Sequence, residues 1–198
     1  APWLNELKFH IFDNSVDHIM DDQQLRQPGM MGYANVTRDT SGGRISADFT
    51  ISDHFSWLAG IDQQKNEHGS RSAPPSGIYG DTVQDAVIRQ QGIFSELTYQ
   101  LNTQNTLIGG YRLDQWKAHD QRDEIKGMMS SVPNPTAQQN RKDNVHSAFI
   151  RYEHEMQSTP AVVYAGIGHT GRFPDYWELI AKESQSSISG FNIKPEKT

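Results

Sequence analysis

The chain is predicted to be all-β, an antiparallel up-and-down sheet forming a segment of a transmembrane β-barrel. Three observations predict this. Apolar and polar residues alternate with a period of two through most of the 198 residues, as in strands whose successive side chains point to opposite faces. The connections alternate long and short, which gathers every long loop at one end of the meander, as in outer-membrane barrels. The strands run about ten residues, enough to cross a bilayer at a tilt, and Tyr99, Tyr111 and Tyr152 lie on their apolar face.

The first strand covers Asn5–Phe12, with Leu7, Phe9 and Ile11 on one face and Glu6, Lys8 and His10 on the other. A long polar loop is expected from Asp13 to about Gly32. The second strand runs from about Tyr33 to Ile51, with Gly42-Gly43 as a bulge or kink. Ser52-Asp53-His54 is a tight turn. The third strand begins at Phe55 and places Phe55, Trp57, Ala59 and Ile61 together. Lys65–Gln90 is expected to be a second long loop, with a helical turn or two at Asp81–Gln91.

The fourth strand, about Gly92–Leu101, sets Ile93, Leu97, Tyr99 and Leu101 against Glu96, Thr98 and Gln100. After a short turn at Asn102–Asn105, the fifth strand, about Thr106–Lys117, sets Leu107, Tyr111 and Leu113 against Arg112 and Asp114. A third long loop spans about Ala118–Lys142. The sixth strand is about Asp143–Met156, with Ala148, Ile150 and Tyr152 on one face and Ser147, Arg151 and Glu153 on the other. A short turn at Gln157–Pro160 leads to the seventh strand, about Ala161–Thr170. A fourth long loop then leads to Lys194-Pro195-Glu196-Lys197-Thr198.

Composition narrows the function. Net charge is −6 and there is no basic patch, so nucleic acid is not an expected partner. Cys is absent, which excludes disulfides, thiolate ligands and a Cys nucleophile within these residues. Mean hydropathy is −0.71, and no apolar run reaches the roughly 18 residues of a transmembrane helix. A membrane barrel keeps a low average hydropathy because its inward residues are polar. The chain opens on Ala1-Pro2-Trp3 without signal-peptide character, as expected of a mature or internal segment.

The residues that carry chemistry are soft donors. In Asp17-His18-Ile19-Met20-Asp21, an extended backbone points His18 and Met20 the same way. Imidazole with thioether suits copper, Cu(I) in particular; the same five residues also read as an ordinary polar loop. Met30, Met31, Met128 and Met129 fall in predicted loops at the same end. They are candidate secondary copper-capturing contacts, or packing for folded-over loops. Asp17, Asp21 and Asp22 could steer a cation inward or simply solvate the loop. His10 and His169 fall in strands, as pore-wall or interface residues. No paired-His zinc spacing, phosphate loop or nucleophile elbow appears, so a transporter is expected and not an enzyme.

Tyr164–Leu179, with Arg172-Phe173-Pro174 leading to Glu178-Leu179, resembles the barrel of TonB-dependent outer-membrane receptors, and so does Lys194-Pro195-Glu196-Lys197-Thr198. Trp57…Gly60-x-Asp62 and His68-x-x-Arg71 are similar to that family as well, so the resemblance covers essentially the whole chain. Val16–Asp21 resembles the copper-receptor branch. There a barrel His-x-Met completes a copper site with a Cys-x-x-x-Met motif from a plug domain. The resemblance implies that His18 and Met20 are the barrel half of such a site, whose other half, like the contact with the TonB energy-coupling complex, lies outside these residues. It implies a barrel of roughly 22 strands, of which residues 1–198 supply seven and the start of an eighth, embedded in outer-membrane lipid. Seven strands cannot close such a barrel, so the chain is expected to be one segment of a larger receptor. Two other readings stand beside copper uptake: import of a ferric siderophore or other metal chelate by the same barrel, and a secreted soluble β-sandwich binding module.

Overall fold

A computed structural model describes residues 3–20, 33–73, 78–126, 131–180 and 190–198. Seven strands form one antiparallel sheet: β1 (Leu4–Met20), β2 (Tyr33–Ser52), β3 (Phe55–Ala73), β4 (Val83–Asn102), β5 (Asn105–Asp120), β8 (Asn140–Glu155) and β9 (Val162–His169). Each is hydrogen-bonded to its neighbour in that order. Between β5 and β8 lies a small hairpin of β6 (Glu124–Lys126) and β7 (Ser131–Pro133). After β9 come β10 (Gly171–Arg172), helix α1 (Tyr176–Ile180), a 3-10 turn at Gly190–Asn192 and β11 (Glu196–Lys197). β11 pairs with β10, so the Lys194–Thr198 motif starts a strand beside the extension of β9.

The sheet is inside-out relative to a soluble one. Phe9, Ile45, Ile61 and Ile93 are exposed, and with Leu113 they form one cross-strand row. Ile11, Leu97, Tyr99, Leu101, Tyr111, Ile150, Tyr152 and Ile167 are exposed on the same face. An apolar face of this extent in contact with water is unfavourable; in lipid it is the required surface. The opposite face carries charge. Arg112 donates from both terminal nitrogens to Asp62 at 2.7 Å and also to Asp114. Gly92 lies beneath the guanidinium, and a Cβ there would collide with it. Gly60 and Gly110 similarly make room for the rings of Phe94 and Phe149, so inward aromatics lie flat along the wall.

The apolar alternation, the short turns and the facing of the first, third, fourth, fifth and sixth strands follow the sequence prediction. The strand lengths do not. At 16 to 20 residues, β1–β5 and β8 exceed the 9–11 needed to cross a bilayer, and the excess extends beyond the apolar band at the long-loop end. Four expectations are corrected. Asp17–Met20 lies within β1. Most of Lys65–Gln90 is strand, with β3 reaching Ala73 and β4 starting at Val83. Val83–Gln91 is extended, with no helical turn. Gly42-Gly43 is no bulge, because the pairing runs through it unbroken.

The buried core is small and covers only the long-loop end of the polar face. Phe173, Leu179, Ile180 and Phe191 of the returning chain pack on Trp116, Ala118, Val145 and Ala86. Phe173 stacks on Trp116 at 5.5 Å, and Arg141 donates to the Phe191 carbonyl at 2.9 Å. The returning segment is locked locally as well. Asp175 and Glu178 form a reciprocal cap, each backbone N–H donating to the other's carboxylate at 2.9 and 3.0 Å. Arg172 grips Glu178 with two bonds of 2.8 and 2.7 Å. Together these hold the exposed Glu178 carboxyl down to about 2, the Arg172 contact being the larger cause.

Candidate metal-capture site

His18 and Met20 stand on the polar face of β1, paired with Val36 and Ala34 of β2. Met20 and Val36 line a cavity of about 570 Å³ whose opposite wall includes Asp85, Asp123, Glu124 and Trp177. The pleat gives His18 and Met20 the same facing. What holds that facing is a buried anchor on the other side of the strand. Asn35, fully buried, donates to the Asp17 carboxylate and to the His18 carbonyl at 3.3 Å. It accepts from Arg71 Nε at 2.8 Å, and Arg71 lies over the Tyr79 ring. Asp17 is therefore an anchor, turned away from the cavity. Asp21 and Asp22 lie outside the described residues, as do Met30, Met31, Met128 and Met129.

Asp85 reaches the cavity by an irregularity that the sequence does not announce. His68 pairs with Ala86 and Gly69 with Gln84, so Asp85 is the extra residue of a β-bulge. A bulge re-aims a side chain; here the carboxylate accepts from Ser70 Oγ at 3.3 Å and Tyr176 Oη at 2.8 Å. Tyr176 stacks on His68 at 3.3 Å, the two rings nearly parallel. Burial first, and then the Asp85 charge, raise the Tyr176 phenol well above its ordinary value, so it remains a donor. The α1 segment is thereby fastened over one side of the cavity.

A second anchor fixes the loop beneath it. Asp120, fully buried, accepts from Arg122, Asn134 and Thr136 at 2.8 to 3.0 Å. Arg122 donates in turn to the Ile180 carbonyl at 3.3 Å. Among the described residues no three His, Asp or Glu side chains converge on one point as a complete metal site. Two soft donors thus stand on a paired strand, and Met20 borders an acidic, partly covered space.

An exposed apolar outer face, a charged inner wall and long loops at one end define a membrane barrel. Residues 3–198 match the family described as TonB dependent receptor-like, beta-barrel, and the chain belongs to that family of outer-membrane proteins. Among solved structures it is similar to one described as "Copper transporter OprC", with 36% sequence identity and a TM-score of 0.89. The match covers 100% of this chain and 33% of that one, so the chain spans about a third of that relative's length. No curated protein sequence matches it.

Sidedness can be measured directly. The long-loop end is expected outside the cell and the short turns in the periplasm. The chain has no Cys, so a thiol introduced into it by Ser131→Cys or Ser158→Cys is unique within these residues. An impermeant thiol reagent on intact cells should label the first and spare the second. The reverse pattern overturns the orientation.

Proposed function

We propose that these residues form one part, seven strands and the start of an eighth, of a TonB-dependent copper uptake receptor, and that His18 and Met20 are its barrel-wall copper ligands. The observation that carries this reading is that His18 and Met20 share one face of β1, with Met20 lining the cavity and Asn35 bonded to the strand from the other face. The likeness to a structure described as a copper transporter supports it. Thioether with imidazole disfavours calcium and magnesium and is a poor match for zinc, whose usual ligands are Cys, His and carboxylate. A further pair of soft ligands would come from a plug outside these residues, and passage would be driven through the TonB complex without chemical conversion of the cargo.

Copper content of the purified full-length receptor, after equal exposure to Cu(I), Zn(II) and a ferric siderophore, tests the reading. Selective retention of copper is the expected result. A receptor that retains the chelate and no copper fails the proposal and establishes the chelate reading.

The segment reading has its own test. Residues 1–198 expressed alone should not give a folded, heat-modifiable monomer in detergent. Both edges of the sheet would be unpaired in an apolar medium, at several kcal/mol for each unsatisfied backbone group. Such a monomer, if obtained, contradicts it.

A further inference from the structure

Helix α1 buries Leu179 and Ile180 but leaves Trp177 54% exposed, on the border of the cavity that Met20 lines. An indole exposed to that extent contributes little to the core. Its position is fixed all the same. Trp177 meets Tyr176 edge to face, with ring centroids 5.1 Å apart and planes at 79°. It meets His68 in the same way, at 5.8 Å and 81°. Edge-to-face contacts of this kind are attractive beyond the area they bury. Tyr176 is held in turn by its stack on His68 and its bond to Asp85, and the far end of α1 by the bond from Arg122 to the Ile180 carbonyl. The helix thus presents a braced aromatic ring at the cavity, not a loose one.

The remaining groups around the cavity decide what such a ring would meet. Asp85, Asp123 and Glu124 border it, and Asp123 and Glu124 are exposed. Arg122 borders it as well, but its guanidinium is taken up by Asp120 and the Ile180 carbonyl. The local field therefore favours a cation over an anion. Carboxylates alone would suit a hard divalent ion, which dehydrates reluctantly and keeps water between itself and an aromatic face. A thioether and an indole suit the opposite kind of ion. The thioether selects soft metals, and the electron-rich face of an indole attracts a cation more strongly than any other side-chain ring, the more so where water is excluded.

We propose, resting on the copper reading above, that Trp177 covers the captured ion: in the loaded receptor its indole stands over a monovalent copper ion bound by Met20. The ring adds cation–π attraction and keeps water from the long-loop side of the site. Asp123 and Glu124 draw the cation toward it.

Competition for Cu(I) between the purified full-length receptor and a chromogenic Cu(I) chelator, under anaerobic reducing conditions, tests this. Trp177→Leu should weaken Cu(I) binding about tenfold and Trp177→Phe about threefold, following the weaker ring of Phe and its absence in Leu. Ag(I), a closed-shell monovalent ion, should show the same order. The side chain is more than half exposed, so neither substitution opens a cavity in the core. Should Trp177→Leu lack the heat-modifiable band of a folded barrel, tryptophan emission is read instead: Cu(I) should quench wild type more than Trp177→Phe, and equal quenching overturns the proposal. Equal losses in the two variants would make the side chain a spacer and overturn it too. Unchanged affinity in both variants, with wild type binding copper, overturns it and leaves the copper reading standing. A wild type that binds no Cu(I) removes both together.

Discussion

His18→Ala and Met20→Ala should each weaken copper binding by the full-length receptor at least tenfold, about 1.4 kcal/mol, while the barrel stays folded. Both side chains are exposed on the inner wall, so truncating either removes a donor without opening a cavity. The strand beneath them is held by Asn35 and Arg71 from the other face, and neither bond involves the His18 or Met20 side chain. If the two donors share one ion, the double variant costs less than the sum of the singles, because the second truncation acts on a site already broken. Copper per receptor, measured by elemental analysis at a series of Cu(I) concentrations, gives all three numbers. Full copper retention by both single variants would remove His18 and Met20 from the site.

Asp120→Ala should loosen the cover of the cavity by about 3 kcal/mol, the cost of stripping the partner from a buried ion pair. The side chain is fully buried and Arg122 is 11% exposed; truncation leaves the guanidinium, Asn134 and Thr136 facing a void. The effect should be local. Arg122 is the link from this network to the Ile180 carbonyl, so α1 and residues 121–139 should open together while the seven-stranded sheet is unaffected. Hydrogen exchange in the full-length receptor should show amides of both segments exchanging about a hundredfold faster, with no change in Ile93–Leu101. Unchanged exchange at α1 would show that Arg122 does not tie the two together.

The apolar band was legible in the sequence because lipid demands an apolar side chain at every second position. Leu7, Phe9 and Ile11, or Ile93 through Leu101, could be placed on a face by counting. The upper halves of β3 and β4 were not legible for the same reason. Gln63-Gln64-Lys65-Asn66-Glu67-His68 runs beyond the apolar rows of the outer face, so apolar alternation is no longer imposed and the stretch reads as loop. It is a strand because its neighbours supply hydrogen bonds, which is information held elsewhere in the chain. The His18–Met20 spacing was recognisable, and the facing expected of it holds, although the backbone is paired strand where loop was expected. Asp85 had no local signal at all: a one-residue shift against β3 turns it inward. Helix α1 has one, the reciprocal cap Asp175-x-x-Glu178, but its five residues are too few to show a helical apolar period.

The strictly sequential order of the sheet has a consequence for how the protein is made. Among the described residues the long strands pair in chain order, each with its neighbours in sequence, with the β6–β7 hairpin set aside between β5 and β8. Closing each new pair brings together residues a short distance apart along the chain, so the entropy lost per step is small and nearly constant. The sheet can therefore grow by accretion, each finished strand serving as the template for its successor. Thr170 and Thr198, exchanging backbone bonds of 3.1 and 2.9 Å past the end of β9, extend the same process at the growing edge. A residue that cannot be accommodated early, such as a bulky side chain at Gly60 beneath Phe94, would then stall every strand that follows, and its damage would be read in insertion yield before it was read in stability.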